Sequence, residues 1–147
     1  MIKKLINKLF NKQSEVMSFK QGMDLTDLPV VTFNQNDNKF NFLLDTGSSD
    51  CIIDSNILDK LEYSMSNAEN MLFGLDGVKR RAPICLISLF HNDMEYRYSY
   101  LISDMKEPFS HIKLETGVTL HGIIGSKFFN EFKYVLDFDK LIAYSKA

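Results

Sequence analysis

Phe42-Leu43-Leu44-Asp45-Thr46-Gly47-Ser48-Ser49 is the stretch on which the reading of the whole chain turns. An apolar run ends in an aspartate, and a hydroxyl residue and a glycine follow. The apolar part reads as a buried strand, and the Asp-Thr-Gly-Ser part as a tight loop at its end, because all four residue types suit turns. A buried strand fixes the aspartate at the loop mouth. The glycine lets the backbone approach its carboxylate where a side chain would intrude. The run occurs once in 147 residues. Chemistry that needs two such carboxylates would take the second from another molecule; the plain alternative is an ordinary turn.

Strand signals surround it. Residues 29–33, Pro-Val-Val-Thr-Phe, are β-branched and aromatic and end in the turn formers Asn34-Gln35-Asn36-Asp37-Asn38. With Phe40 to Leu44 they read as a hairpin that delivers Asp45 to its loop. Cys51-Ile52-Ile53 is a further short apolar run, and Ser55 is placed to cap a helical turn through Ile57, Leu58 and Leu61. Residues 71–78 read as two strands joined at a Gly-flanked tip. Segments 83–90 and 95–102 read as strands joined by a turn at His91-Asn92-Asp93. Segment 103–114 reads as irregular, and 103–119 as a whole receives no role. Leu120 to Ile124 is apolar, Gly125 breaks it, and Ser126 to Phe132 reads as a short helix. The chain closes in a hairpin around Asp139-Lys140. Many short strands with turn punctuation and little helix predict an all-β, closed or sandwiched fold.

Apolar content of 45% and charged content of 24% are those of a globular domain, and the length suits one. A net charge of -2 gives no nucleic-acid footprint. Cys51 and Cys85 are too few for a disulfide framework, so free thiols in a reducing, cytoplasmic setting are expected, with a single bridge as the alternative. No apolar run approaches the roughly 20 residues of a membrane span. Over Met1 to Lys12, Ile2, Leu5, Ile6, Leu9 and Phe10 recur at helical spacing among four lysines, which predicts a basic amphipathic helix. Packing of that stripe on its own domain or a dimer mate is the expectation, and contact with a membrane surface or partner is the alternative. Residues 13–27 read as a polar connector, which divides the chain into 1–27 and a domain over 28–147.

Over roughly 28–144 the chain resembles the retropepsin-like aspartic proteases, single-domain relatives of pepsin. The resemblance rests on Phe42 to Ser49, on the hairpin Phe73-Gly74-Leu75-Asp76-Gly77, on His121-Gly122-Ile123-Ile124-Gly125 with the helix after it, and on the closing Val135-Leu136-Asp137-Phe138-Asp139. It departs from the family in its N-terminal extension, in 103–119, and in His121, where relatives often carry Asp or Asn. The resemblance implies a closed β-barrel with one short C-terminal helix, a homodimer, and an aspartic endopeptidase that acts on an extended peptide or protein substrate without a cofactor or metal. Asp45 would be catalytic. Thr46 would bond across the dimer axis, Gly47 would admit the carboxylate, and Ser48 would hydrogen-bond its outer oxygen. Ile123, Ile124 and Gly125 would support the loop from behind, and Phe73 to Gly77 would form a flap over the substrate.

The chemistry explains the residue types. Two close carboxyl groups share one proton, because both cannot ionise side by side. The charged one takes a proton from water while the protonated one donates to the scissile carbonyl. A rival reading is the same fold used as a dimerisation or peptide-binding module with little turnover. A dormant protease held by its N-terminal arm is a third. The three histidines and two cysteines lack metal-ligand spacing. His91 and His111 are expected to be solvated, and His121 to be a satisfied structural residue. Glycines 117 and 122 mimic a phosphate loop, but Ile123-Ile124 stands where Lys-Ser or Lys-Thr is needed. Ser48 and Ser49 lack a nucleophile elbow.

Overall fold

The computed structural model describes residues 16–73 and 77–146. The basic arm over 1–12 and the tip residues Gly74, Leu75 and Asp76 lie outside the described residues. Among the described residues three α-helices, α1 (Phe19–Thr26), α2 (Lys106–Thr116) and α3 (Ser126–Phe132), accompany nine strands. The strands are β1 (Val30–Gln35), β2 (Asn38–Leu44), β3 (Ile52–Asp54), β4 (Ser64–Phe73), β5 (Lys79–His91), β6 (Met94–Ser103), β7 (Gly122–Ile124), β8 (Tyr134–Asp137) and β9 (Ile142–Ser145).

Alternation drives the architecture. Along β2, Phe40, Phe42 and Leu44 are buried in one core, as are Val31 and Phe33 of β1 and Cys85, Ile87 and Leu89 of β5. Side chains two apart share a face of a strand, so these faces must close on each other to leave water. They do so in the order β1-β2-β7-β3-β6-β5, and β1 meets β5 at Asn34↔Phe90 to complete a six-stranded barrel. Strand β4 lies outside β5 as an arm, and β8 and β9 make a separate two-stranded sheet. Asn92 and Asp93 both have positive φ (51° and 63°), which lets β5 and β6 turn back on each other in two residues. Inside the barrel, Phe33 packs edge-on against Phe42, Tyr96 and Phe128, with ring centroids 5.6–6.3 Å apart.

Four local readings change. Segment 13–27 holds α1 rather than only a connector. Ser18 Oγ accepts the Gln21 N–H while Gln21 Oε1 accepts the Ser18 N–H, a capping box. Gly22 stands inside that helix because its face lies against β1, where a Cβ would stand 2.0 Å from Val30 O. Segment 103–114, read as irregular, contains the start of α2. Its proline, Pro108, falls in the first turn, where no intrahelical donor is needed, and Gly117 ends it at φ 78°. Only Phe109 of this helix is buried and Leu114 is 84% exposed, so its periodicity is weak. The 3-10 turn Ser55–Lys60 is capped by Asp54, one residue before the expected Ser55. Asp54 is itself buried, and its Oδ1 accepts from Asn56 N, Asn56 Nδ2 and Met105 N at 3.2, 2.7 and 3.1 Å. A buried carboxylate needs such donors, and here they tie β3 to the start of α2.

His91, expected in solvent, is instead half-buried, 5.0 Å from the Phe33 ring and hydrogen-bonded through Nδ1 to the Tyr134 hydroxyl at 2.9 Å. Burial pushes its pKa down to about 4. His111 is exposed. No helix among the described residues is long and apolar enough to cross a membrane.

Candidate active site

Strand β7 runs parallel to β2 on one side and antiparallel to β3 on the other. The chain between β2 and β3 must therefore pass over the end of β7, and that crossing is the loop that begins at Asp45. Most of the contacts beneath it are backbone contacts, and the Gly125 N–H donates to Cys51 Sγ at 3.4 Å. Asp45 N–H donates to Ile124 O (2.9 Å), Ser126 N–H to Ser48 O (2.7 Å) and Lys127 N–H to Ser49 O (3.1 Å). The first N–H groups of α3, which no helical carbonyl can satisfy, thus find their acceptors in the loop. Gly125 leaves room for the crossing: a Cβ there would lie 2.4 Å from Asp50 O and 2.7 Å from Ser48 O. Beyond the loop, Cys51 O accepts from Leu101 N–H at 2.9 Å, and Lys127 Nζ lies 2.9 Å from Asp50 Oδ1.

Asp45 itself is half-buried. Its Oδ1 accepts the Gly47 N–H at 2.9 Å, and its main-chain O accepts from Ser48 N at 3.2 Å. A Cβ on Gly47 would sit 3.2 Å from Oδ1. Among the described residues Oδ2 has no hydrogen-bond partner. One carboxylate oxygen is thus held by the backbone, and the other is open to a proton, a water or a second carboxyl group.

The structure brings Asp45, Gly47, Ser48, Ile124 and Gly125 together. Ile123 faces the other way from Ile124, beside Leu43. Thr46 is exposed. Ser48 departs from its expected role: its hydroxyl donates to Asp50 O at 2.8 Å, within the loop, and not to the Asp45 carboxylate. Phe73 ends β4, and Gly77, at φ 75°, lies just before β5. The Asp50–Lys127 pair escaped the reading of the sequence, since 77 residues separate the two and neither belongs to a motif.

Neither cysteine is a nucleophile here. Both are free and buried, and burial pushes the Cys51 thiol up to about 12 and that of Cys85 to about 11. Cys85 pairs with Tyr100 across β5 and β6, and the buried Tyr100 hydroxyl has no partner among the described residues. His121 Nδ1 accepts the Asn41 N–H at 2.8 Å, and burial, then the charge of Lys60, pulls its pKa down to about 4. It lines a cavity of about 750 Å³ at the end of β2 away from Asp45, together with Lys39, Asn41 and Lys60. No residue of the Asp45–Ser49 run lines that cavity.

No family model matches the sequence, and no curated protein matches it. Among solved structures, the chain is similar to the retroviral protease-like domain of Ddi1 from Leishmania major. The TM-score is 0.54 at 11% sequence identity, and the match covers 81% of this chain and 88% of that one. The chain therefore has the retroviral-protease-like barrel fold.

Proposed function

We propose that this protein is an aspartic endopeptidase whose dyad is Asp45 and the Asp45 of a second copy. The observation that carries this reading is the Asp45 carboxylate, fixed through Oδ1 and open at Oδ2 on a loop locked over β7 in this fold. A single chain presents one such group, and a two-fold axis through the loop supplies the other. The two carboxyl groups then hold one proton between them.

In the reaction the ionised member takes a proton from water while the protonated member donates to the scissile carbonyl oxygen. Collapse of the tetrahedral intermediate returns the proton to the departing amine. The fixed backbone holds the carboxylates through these transfers. Thr46, exposed on the loop, would stand at the contact between copies, and the tip carried by β4 and β5 would close over the peptide.

Peptide-library cleavage read by mass spectrometry at pH about 4 to 7, the range in which such a dyad keeps one proton, tests the reading. Asp45→Asn serves as control. Cleavage by the wild type should fall at least about a hundredfold in the variant, and specific activity should rise with protein concentration as dimers form. A folded dimer that leaves every peptide intact, or an Asp45→Asn variant as active as wild type, would sink the proposal and favour a peptide-binding module.

A further inference from the structure

The barrel has a second apolar face. Leu43 pairs with Ile123, Ile123 with Ile52, Ile52 with Leu101, and Leu101 with Ile84. These five residues form one row across five adjacent strands. Their chain neighbours Leu44, Ile124, Ile53, Tyr100 and Cys85 point into the barrel, so the row lies on the opposite face. Asp45 is two residues beyond Leu43, and its N–H continues the pairing of β2 with β7. The row therefore ends two residues from Asp45, on the face that its side chain shares.

The middle of the row is covered, and its two ends are half-buried. Ile52 and Leu101 are buried with Ala82 in one cluster, and Val30, Phe109, Val118 and Leu120 make a second cluster beside it. Two residues pack against both clusters: Ile123, in the row itself, and Met105, which comes from the segment leading into α2. The Met105 backbone is held by its N–H to the buried Asp54 carboxylate at 3.1 Å, while its O accepts the Phe109 N–H at 3.0 Å. The base of this side chain is thus pinned, and its unbranched thioether arm stays adaptable. Leu43 and Ile123, at the Asp45 end of the row, are only half-buried.

We propose that Met105 sets the size of the substrate side chain accepted beside Asp45. This rests on the protease reading above. An extended peptide held over the dyad turns alternate side chains toward the sheet face, and the one flanking the scissile bond meets Leu43 and Ile123. The space beyond them holds Met105. The natural chain therefore favours small and medium apolar residues there, and aromatic residues require the thioether arm to move.

The test compares wild type, Met105→Ala and Met105→Phe on paired peptides that differ only in Ala or Phe at the residue before a library-defined scissile bond. The ratio of kcat/KM for the Phe peptide over the Ala peptide should rise about tenfold in Met105→Ala, since pocket volume discriminates on this scale. It should fall in Met105→Phe, which fills the space and keeps the packing. A role confined to stability changes both peptides by one factor, so a constant ratio in both variants overturns the proposal. With Asp45→Asn alongside, Asp45-dependent cleavage with a constant ratio removes Met105 alone. Absence of any Asp45-dependent cleavage removes the protease reading and this proposal with it.

Discussion

Around Phe33 the chain is fixed by side chains, and around Asp45 it is fixed mainly by backbone. Phe33 touches Phe42, Tyr96, Phe128 and Tyr134 through ring contacts of 5.6–6.5 Å. Such packing is only weakly directional, and cores of this kind accept volume-conserving exchange. The Asp45 loop has N–H···O bonds to Ile124, Ser48 and Ser49 and a glycine beneath it. These contacts are positional. A change in the first region should alter how stable the barrel is, and a change in the second where the carboxylate stands.

Gly125→Ala gives the largest expected effect. The new Cβ would stand 2.4 Å from Asp50 O and 2.7 Å from Ser48 O, both backbone atoms, so the loop must lift. Overpacking of this kind costs up to about 3 kcal/mol, read by urea denaturation. Displacing the carboxylate by about 1 Å should cost about a hundredfold in peptide cleavage. A Gly125→Ala protein with undiminished cleavage would break the comparison, because the loop would then tolerate movement.

His91 probes the other region. Its pKa is about 4 in the fold against 6.5 for a free histidine, because burial disfavours the charged ring. The folded state holds this proton less tightly than the unfolded chain does. Unfolding therefore takes up a proton between about pH 6.5 and 4, and stability falls as pH drops through that window. At about 1.4 kcal/mol per tenfold change in proton affinity, and reduced for partial contact with water, the loss is about 2 kcal/mol. His121 acts in the same window, with its pKa also lowered to about 4. Urea midpoints from pH 7.5 to 4.5 should therefore fall. His91→Gln, which can still hydrogen-bond the Tyr134 hydroxyl, should remove about half of that fall; an unchanged slope would show that the aromatic cluster accommodates charge. An acid optimum for cleavage would then compete with the histidines, which weaken the fold over the same range.

The two regions also differ in how far the amino-acid sequence disclosed them. The strand ending at Asp45, the break at Gly125 and the helix Ser126–Phe132 were legible because period-two burial and turn chemistry act over a few residues. The barrel was legible as a class from its many short, punctuated strands. What escaped depends on distant partners. Gly22 is required by Val30 O across a helix–strand contact, and His91 is drawn inward by Tyr134, 43 residues on. Helix α2 presents too little apolar stripe to announce itself, and its start leans on Asp54 from another part of the chain. Asp50 and Lys127 meet only because the loop crosses β7.

Ser48 gives the smallest effect and the sharpest distinction within the loop. The family resemblance assigned its hydroxyl to the Asp45 carboxylate. A donor there would favour the ionised form, so its removal would shift the pH–rate profile toward higher pH. The structure instead aims that hydroxyl at Asp50 O, and the Asp45 carboxylate takes its bond from the Gly47 N–H. Ser48→Ala should therefore cost about 1 kcal/mol of stability, the worth of one hydrogen bond, with a modest fall in cleavage rate and an unmoved pH profile. A profile displaced to higher pH in Ser48→Ala would mean that the hydroxyl turns to Asp45 when two copies meet. The carboxylate itself would then be fixed partly by a side chain.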